Sequence, residues 1–431
     1  MRTDGDDTSP EAPLVLFLCC LIGAVCALDR VLISIAILPM SDEFGFTDST
    51  KGAIAAGFSV GYCLGLLPTG AASSIGSPKN VLLGGLIFWS LAQAASPAAT
   101  AAGVPALLFA RAMMGVGEAA AVPSIQAVAA RFVPASQRSF FWGCLTASLS
   151  LGTISAYKIS PPLIASYGWP SAFELYGGVG LALALCWGIW GADAPAGTPR
   201  DATGASLAPA DASRPTAADV PWREIATSRP VWALAAAHSS TNFFMYFGLS
   251  WLPTYFAYQF GMSASDASSA SLLPFAAGAV GSLTAGVACD ALVARLGLPL
   301  TRARKLVQSI GLGGPMVAMG ILCALSTGMG GLQLDRDEAE ALFILGVGCQ
   351  ACSAAGYGCG AQDIATRFSS LIYGATSVLA VLAGATGQYL TGYLLEQNGR
   401  DFAPIFGAVV AVELAGLVAW NAWWDSEKQF D

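Results

Sequence analysis

Runs of about twenty apolar residues alternate with short polar stretches along almost the whole chain. A bilayer's hydrocarbon core takes ~20 apolar residues per helix, so the pattern predicts twelve membrane-spanning helices. The first six are 13–39, 51–72, 80–99, 104–130, 139–165 and 172–194. The second six are 229–257, 266–293, 304–327, 340–362, 369–395 and 402–424. Between the two sets, 195–228 is rich in Pro, Ala, Asp, Ser and Thr and has no apolar helical face, so it reads as a solvent-exposed linker. The expected architecture is all-α: two six-helix bundles at 13–194 and 229–424, with polar tails at 1–12 and 425–431. Such a plan suggests two repeats with a binding site between them near the midplane.

Composition agrees with a membrane protein. Of 431 residues, 55% are hydrophobic and 11% charged, less than half the soluble average of ~25%. The net charge of −8, with no basic patch beyond short loops, does not suggest a nucleic-acid partner, and none is expected. The expected partners are the lipid bilayer and a small anion, and the chain is expected to act as a monomer. Lys and Arg set the orientation: only Lys51, Arg336 and Arg400 fall in loops opposite the termini. The termini and linker therefore face the cytosol, or the stroma of a plastid. The acidic start, MRTDGDDTSPEAP, has the features of neither a signal peptide nor an Arg-rich transit peptide. The eleven cysteines fall mostly in apolar runs and read as packing residues.

Three cations lie inside the expected helices: Arg30, Arg111 and Lys158. Charges at that depth are expensive and usually mark a pathway, although a structural lock between helices is the alternative. Arg111 and Glu118 are seven residues apart, about two helical turns, and project from one face. The planar fork of Arg111 suits an oxyanion, and Glu118 suits a coupling cation or proton. Arg30 follows Asp29, and adjacent residues cannot share a helix face, so one of them points inward and the other toward a neighbour or the boundary. If Asp29 faces elsewhere, Arg30 and Arg111 against Glu118 leave the positive surplus that an anion site needs. Lys158, ahead of Pro161 and Pro162, either reaches a cavity or snorkels. His238, the only histidine, has Ser239, Ser240, Thr241 and Asn242 beside it, a polar group on an apolar helix. Asp363 is expected to pair with Arg367, four residues on, in a gating role. Arg302, Arg304 and Lys305 are assigned with Asp290 and Arg295 to the loop between the eighth and ninth spans or its edges, a latch rather than a binding site. Glu174 and Glu413 read as buried carboxylates without a role.

No catalytic set emerges, and the reading is not that of an enzyme. Gly57–Gly61 matches GxSxG, but within a helical run rather than at a strand-to-helix turn, so it reads as small residues at a helix contact. There is no GxxxxGK[ST] phosphate loop and no HExxH. Transport would then run on ion or substrate gradients. No cofactor is expected; a sodium ion or a proton is the expected coupling ion.

Several segments resemble the major facilitator superfamily. The similarity is closest to its anion–cation symporter family, which includes sodium–phosphate cotransporters, vesicular glutamate transporters and plant plastid anion transporters. They are DRVLISIAILPMSDEFGF, RAMMGVGEAAAVPSIQAVAARFVPASQRS, YGWPSAFELYG, LSWLPTYF, TRARKLVQSIGLGGP, QDIATRF, TGYLLEQ and DSEKQFD. The resemblance implies anion binding by Arg30 and Arg111 and coupling through Glu118. His238 and Asn242 are added as substrate contacts, with Asp363 and Lys158 as gating residues. It leans toward the plastid branch of phosphate and ascorbate transporters, with the plasma membrane as the other location. Departures are Ser73 and Ser74 where the family has Asp-Arg before a glycine, Ala55 and Thr241 at places where glutamate carriers have His and Arg, and Gly360–Ala361 where plastid members have Asn-His. Lys158 has no counterpart. The expected function is symport of an anion, inorganic phosphate first, with an organic anion such as ascorbate or a carboxylate as the alternative. A non-transporting sensor on the same fold is the further alternative.

Overall fold

The computed structural model describes residues 10–133, 138–195, 221–327, 334–365 and 368–430. Among them, all regular elements are helical. The first half comprises α1 (Ala12–Phe44), α2 (Asp48–Ile75), α3 (Pro78–Ala101), α4 (Val104–Glu118), α5 (Ala121–Phe132), α6 (Arg138–Tyr167) and α7 (Trp169–Trp190). A short α8 (Trp222–Thr227) leads into α9 (Arg229–Phe260), α10 (Ala264–Ala294), α11 (Leu300–Ser326), α12 (Arg336–Gln350), α13 (Tyr357–Ile364), α14 (Ser369–Gln397) and α15 (Ala403–Trp423). Among the described residues ten segments are long and apolar enough to cross a membrane, with α4–α5 and α12–α13 each forming one. The more polar α6 and α9, of 30 and 32 residues, stand where the other two spans are expected. Part of the central linker, 196–220, lies outside the described residues.

Helix starts follow local chemistry. Ser77 caps α3 by accepting from Asn80 N at 3.1 Å, with Pro78 in the first turn. Asp335 and Glu338 form a capping box on α12. At the other end of α9, Gly261 turns the chain with φ 63.

Two expected helices are interrupted, and in both cases a neighbour meets the exposed backbone. Pro123 in α5 has no N–H for the Ala119 carbonyl one turn earlier. Thr69 Oγ1 from α2 lies 3.0 Å from that oxygen. In the tenth span, α12 tightens into a 3-10 turn at Ala351–Ala354 and restarts at Tyr357. Gln308 of α11 patches this break: its Oε1 accepts from Tyr357 N at 2.9 Å and its Nε2 donates to Ser353 Oγ at 3.0 Å. Gly356 is required there, because a Cβ would lie 2.2 Å from Gln308 Oε1. Irregular backbone at membrane depth survives only with such internal partners.

The chain forms two compact units that cut through α1, α2 and α6. The first holds Met1–Arg30, Gly61–Ala156 and Pro170–Arg214. Its helices approach backbone to backbone: a Cβ on Gly61 of α2 would sit 1.9 Å from the Ala112 carbonyl of α4. The GxSxG string therefore ends in a helix contact, as its setting suggested. The second unit holds Val31–Val60, Tyr157–Trp169 and Pro215–Asp431. Its core is aromatic and centred on α9. There Tyr255 makes edge contacts with Phe343, Phe402 and Phe406 at centroid distances of 5.2, 5.0 and 5.6 Å.

These contacts predict a contrast between two identical changes. Gly61→Ala forces α2 from α4 and destabilises the protein by ~1–3 kcal/mol, a typical overpacking cost. Gly84→Ala, with nothing within 4 Å, should leave the melting temperature in detergent unchanged. Equal melting temperatures for both variants would refute the close approach.

Candidate functional site

The first unit gathers charge at one place. Arg30 of α1 donates to Glu118 of α4 through Nε at 2.9 Å, with a second, shorter contact from Nη2 to the same oxygen. Cys26 Sγ, one turn before Arg30, also donates to that oxygen at 3.0 Å. Glu118 is 0% exposed and Arg30 27%. The Arg30 guanidinium carbon also lies 5.2 Å from the centre of the Tyr62 ring of α2, a cation–π distance. Glu118 takes this position as the last residue of α4, where Gly117 lets α3 approach. A Cβ there would lie 2.9 Å from Trp89 N.

Arg111, 1% exposed, points into the same cluster and interacts electrostatically with Glu118, Asp29 and Arg30. Its Nη1 donates weakly to Met114 Sδ at 3.2 Å. Asp29 is fully buried and accepts from Gln93 Nε2 of α3 at 3.2 Å. The structure thus brings together Arg30, Arg111 and Glu118, the three residues expected to carry the chemistry. It also corrects the charge balance. A positive surplus was expected if Asp29 faced elsewhere, but Asp29 faces α3 within electrostatic reach of Arg111. Two guanidinium groups therefore meet two carboxylates, and the formal charges cancel. An ion pair joins Glu118 to Arg30 across helices.

The other expected residues belong to the second unit. His238 of α9 is buried, stacked on Tyr357 at 4.4 Å and tilted against Tyr373 at 5.4 Å. Its Nδ1 lies 3.4 Å from Thr376 Oγ1. Asn242 is buried one turn further on. Beside it, Thr241 Oγ1 reaches Ser353 Oγ at 3.5 Å, and Gln350 Nε2 donates to the Thr241 carbonyl at 2.6 Å. Lys158 is exposed on α6 and has no ion pair among the described residues.

The Asp363 pairing differs from expectation. Arg367 lies outside the described residues, and α13 ends at Ile364 with Ala365 extended, so the four-residue helical spacing does not continue. Asp363 instead pairs side-on with Arg304, Nε to Oδ2 at 2.8 Å and Nη2 to Oδ1 at 3.2 Å. Arg304 Nη1 also donates to the Ala355 carbonyl at 2.7 Å, at the break in the tenth span. Arg302, Arg304 and Lys305, expected in a loop or at its edges, lie at the edge, in the first turns of α11, which starts at Leu300. Glu174 is exposed rather than buried, whereas Glu413 is buried.

Sequence reasoning missed the partners of several polar residues. Where the loop after α2 lacks the family's charges, Ser73 Oγ meets Ser124 Oγ of α5 at 2.8 Å. Asp193, just after α7, holds the start of α3 by accepting from Lys79 N at 2.7 Å and from Ser77 Oγ. A carboxylate at a helix start is favourable, but nothing in the local sequence around Asp193 names its partners.

A family model described as Major Facilitator Superfamily matches residues 19–388. A protein named "Probable anion transporter 1, chloroplastic" from Oryza sativa subsp. japonica is 33% identical over 430 residues, covering 98% of this chain and 78% of that protein. "Sodium-dependent phosphate transport protein 1, chloroplastic" from Arabidopsis thaliana is 32% identical, covering 98% and 81%. "Ascorbate transporter, chloroplastic" from Arabidopsis thaliana is also 32% identical, covering 98% and 76%. Among solved structures, a bacterial homologue of the lysosomal transporter Spinster aligns with a TM-score of 0.71 at 17% identity, covering 97% of this chain and 95% of that one. A D-xylose–proton symporter aligns with a TM-score of 0.72 at 16% identity, covering 96% and 99%.

The Arg30–Glu118 pair predicts a signed set of stabilities. Arg30→Gln strands a buried carboxylate and costs ~3 kcal/mol, the low end for a buried pair because Arg30 keeps some exposure. Glu118→Gln removes the charge that needs a partner and costs less. The double variant should resemble Glu118→Gln alone in thermal unfolding. Coupling below ~0.5 kcal/mol in that cycle would reject the pair.

Proposed function

The chain belongs to the major facilitator superfamily, and from that premise we propose that it is a secondary active transporter of a small anion rather than an enzyme. Inorganic phosphate is the proposed substrate, and sodium or a proton the proposed coupling ion. The observation that carries this reading is the group of Arg30, Arg111, Asp29 and Glu118 buried in otherwise apolar helices. Relatives named for anion, sodium-dependent phosphate and ascorbate transport support it. Their shared chloroplastic designation supports a plastid membrane as the location.

Charge balance suggests how coupling would work. The four groups cancel formally, so an entering oxyanion would bring an uncompensated negative charge to a site where charge is expensive. A proton or sodium ion on Glu118 removes that obstacle and releases Arg30. The Arg30 guanidinium, partly exposed and able to donate two parallel hydrogen bonds, then exchanges a carboxylate of the protein for the oxyanion. Arg111, fully buried, supplies fixed positive potential behind it. His238 and Asn242 are proposed as further substrate contacts, and Asp363, held by Arg304, as a gating residue.

Uptake of labelled phosphate into proteoliposomes, with a sodium gradient, a proton gradient or neither, tests the reading. Saturable uptake that rises with one gradient and falls at least ~100-fold in Arg111→Ala is expected, because the variant removes a buried positive charge and leaves the carboxylates short of a partner, a loss of ~3 kcal/mol. Unlabelled ascorbate competing better than phosphate would move the substrate to the organic anions. Binding without flux would favour the sensor reading.

A further inference from the structure

A second ionic cluster lies in the second unit, where α2 starts and α9 and α14 end. Asp48, the first residue of α2, is 6% exposed. Its carboxylate gathers donors from three elements. Lys51 Nζ, one turn on, donates to Oδ1 at 2.9 Å. Tyr258 OH, near the end of α9, donates to the same oxygen at 2.7 Å. Arg400, in the turn after α14, approaches Oδ2 through Nε at 3.3 Å. The donors also hold one another: the Tyr258 ring lies 4.8 Å from Lys51 Nζ and 4.3 Å from the Arg400 guanidinium carbon. Glu396, the nearest further carboxylate on α14, is directed to the start of α2, accepting from Ser49 N at 2.9 Å.

Two features separate this cluster from an ordinary surface ion pair. Lys51 is only 5% exposed, although it lies at a helix end where snorkelling to water is open to it. Arg400 has φ 69, and among the described residues it is the only one other than glycine with a positive φ. Such strain persists only where the surroundings over-determine it, and it concentrates at ligand clamps. The strained turn sets this guanidinium against Asp48 and Tyr258.

An ammonium, a guanidinium and a phenol converging on a carboxylate are the donor set for a small oxyanion. We propose that Lys51, Tyr258 and Arg400 form an anion-capture site and that Asp48 is an internal carboxylate that fills it in this structure. Withdrawal of Asp48 frees both cations for an incoming phosphate or carboxylate. Lys51 also lines a cavity with Ser34, Ala55, Ser250, Trp251 and Thr254, where the buried Thr254 hydroxyl has no hydrogen-bond partner among the described residues. The capture site therefore adjoins a polar step further along the same helices. The role in capture rests on the anion-transport reading; the binding site itself does not.

The test uses full-length protein in an Arg111→Ala background, which removes the proposed substrate site. Thermal unfolding is followed at constant ionic strength with chloride, inorganic phosphate or acetate. Asp48→Asn in this background should gain a midpoint increase of several degrees from phosphate or acetate over chloride, by binding linkage. The larger increase names the preferred class. Adding Lys51→Gln or Arg400→Gln should abolish the gain. A response no larger than that of Arg111→Ala alone overturns the site. If the Asp48 variant does not fold, Lys51→Gln and Arg400→Gln in the otherwise unaltered chain are tested in uptake. A KM raised about tenfold with maximal rate kept supports capture, and an unchanged KM overturns it. Phosphate binding by the Asp48 variant without saturable anion uptake by the unaltered protein would sink the transport reading and leave the site standing.

Discussion

A carboxylate with no exposed surface has to find its partners inside the protein, and Glu118 finds them on α1. The bond from Arg30 ties α1 to the last turn of α4, and Cys26 adds a second donor from one turn earlier. This fixes which face of α1 looks inward and leaves the adjacent Asp29 facing α3, where Gln93 receives it. Arg111 then has no exposed route for its charge and depends on the same two carboxylates. Each charge in the group is tolerable because of the others, so a change in the charge of one alters the demands on all. A transporter whose coupling ion must alter its affinity for an anion needs this property.

The same constraint, acting on backbone groups, explains the broken spans. In hydrocarbon a freed carbonyl or amide has no water to bond. Pro123 frees Ala119 O, and Thr69 is placed beside it. The interruption after Gln350 frees Tyr357 N, and Gln308 accepts from it. Arg304 extends the principle by serving Asp363 and the Ala355 carbonyl together. Breaks of this kind loosen a helix locally without exposing it, and they lie on α4–α5, beside Glu118, and on α12–α13, beside the residues that contact His238.

Much of this was legible in the chain because membranes impose a simple rule. Apolar run length marked the spans to within a few residues. The rarity of charge inside them pointed to Arg30, Arg111 and Glu118, which the fold assembles at one place. What spacing along one helix could not name were partners from distant segments. Asp363 was expected to meet Arg367, which lies outside the described residues, and the partner the structure shows is Arg304, 59 residues away in sequence. The shared face of Arg111 and Glu118 was legible, but not that Arg30 reaches Glu118 from 88 residues away. Neutral polar residues such as Gln93 and Gln308 gave no signal, because a lone amide costs too little to be conspicuous.

Membrane character, helical class, the order of the spans and the identity of the expensive charges were all readable from the amino-acid order. All of these follow from the cost of transferring residues into hydrocarbon, a property of each segment taken alone. The packing of the helices set which charges meet. It placed Asp29 within the first cluster, so that the formal surplus vanishes. It also converted Lys51 and Arg400, which the sequence offered merely as loop charges, into partners of a buried Asp48. Such pairings depend on the approach of helices far apart in the chain, set by contacts as local as Gly392 passing the Asp48 carbonyl, where a Cβ would lie 2.2 Å away. No periodicity within one helix encodes the register of another.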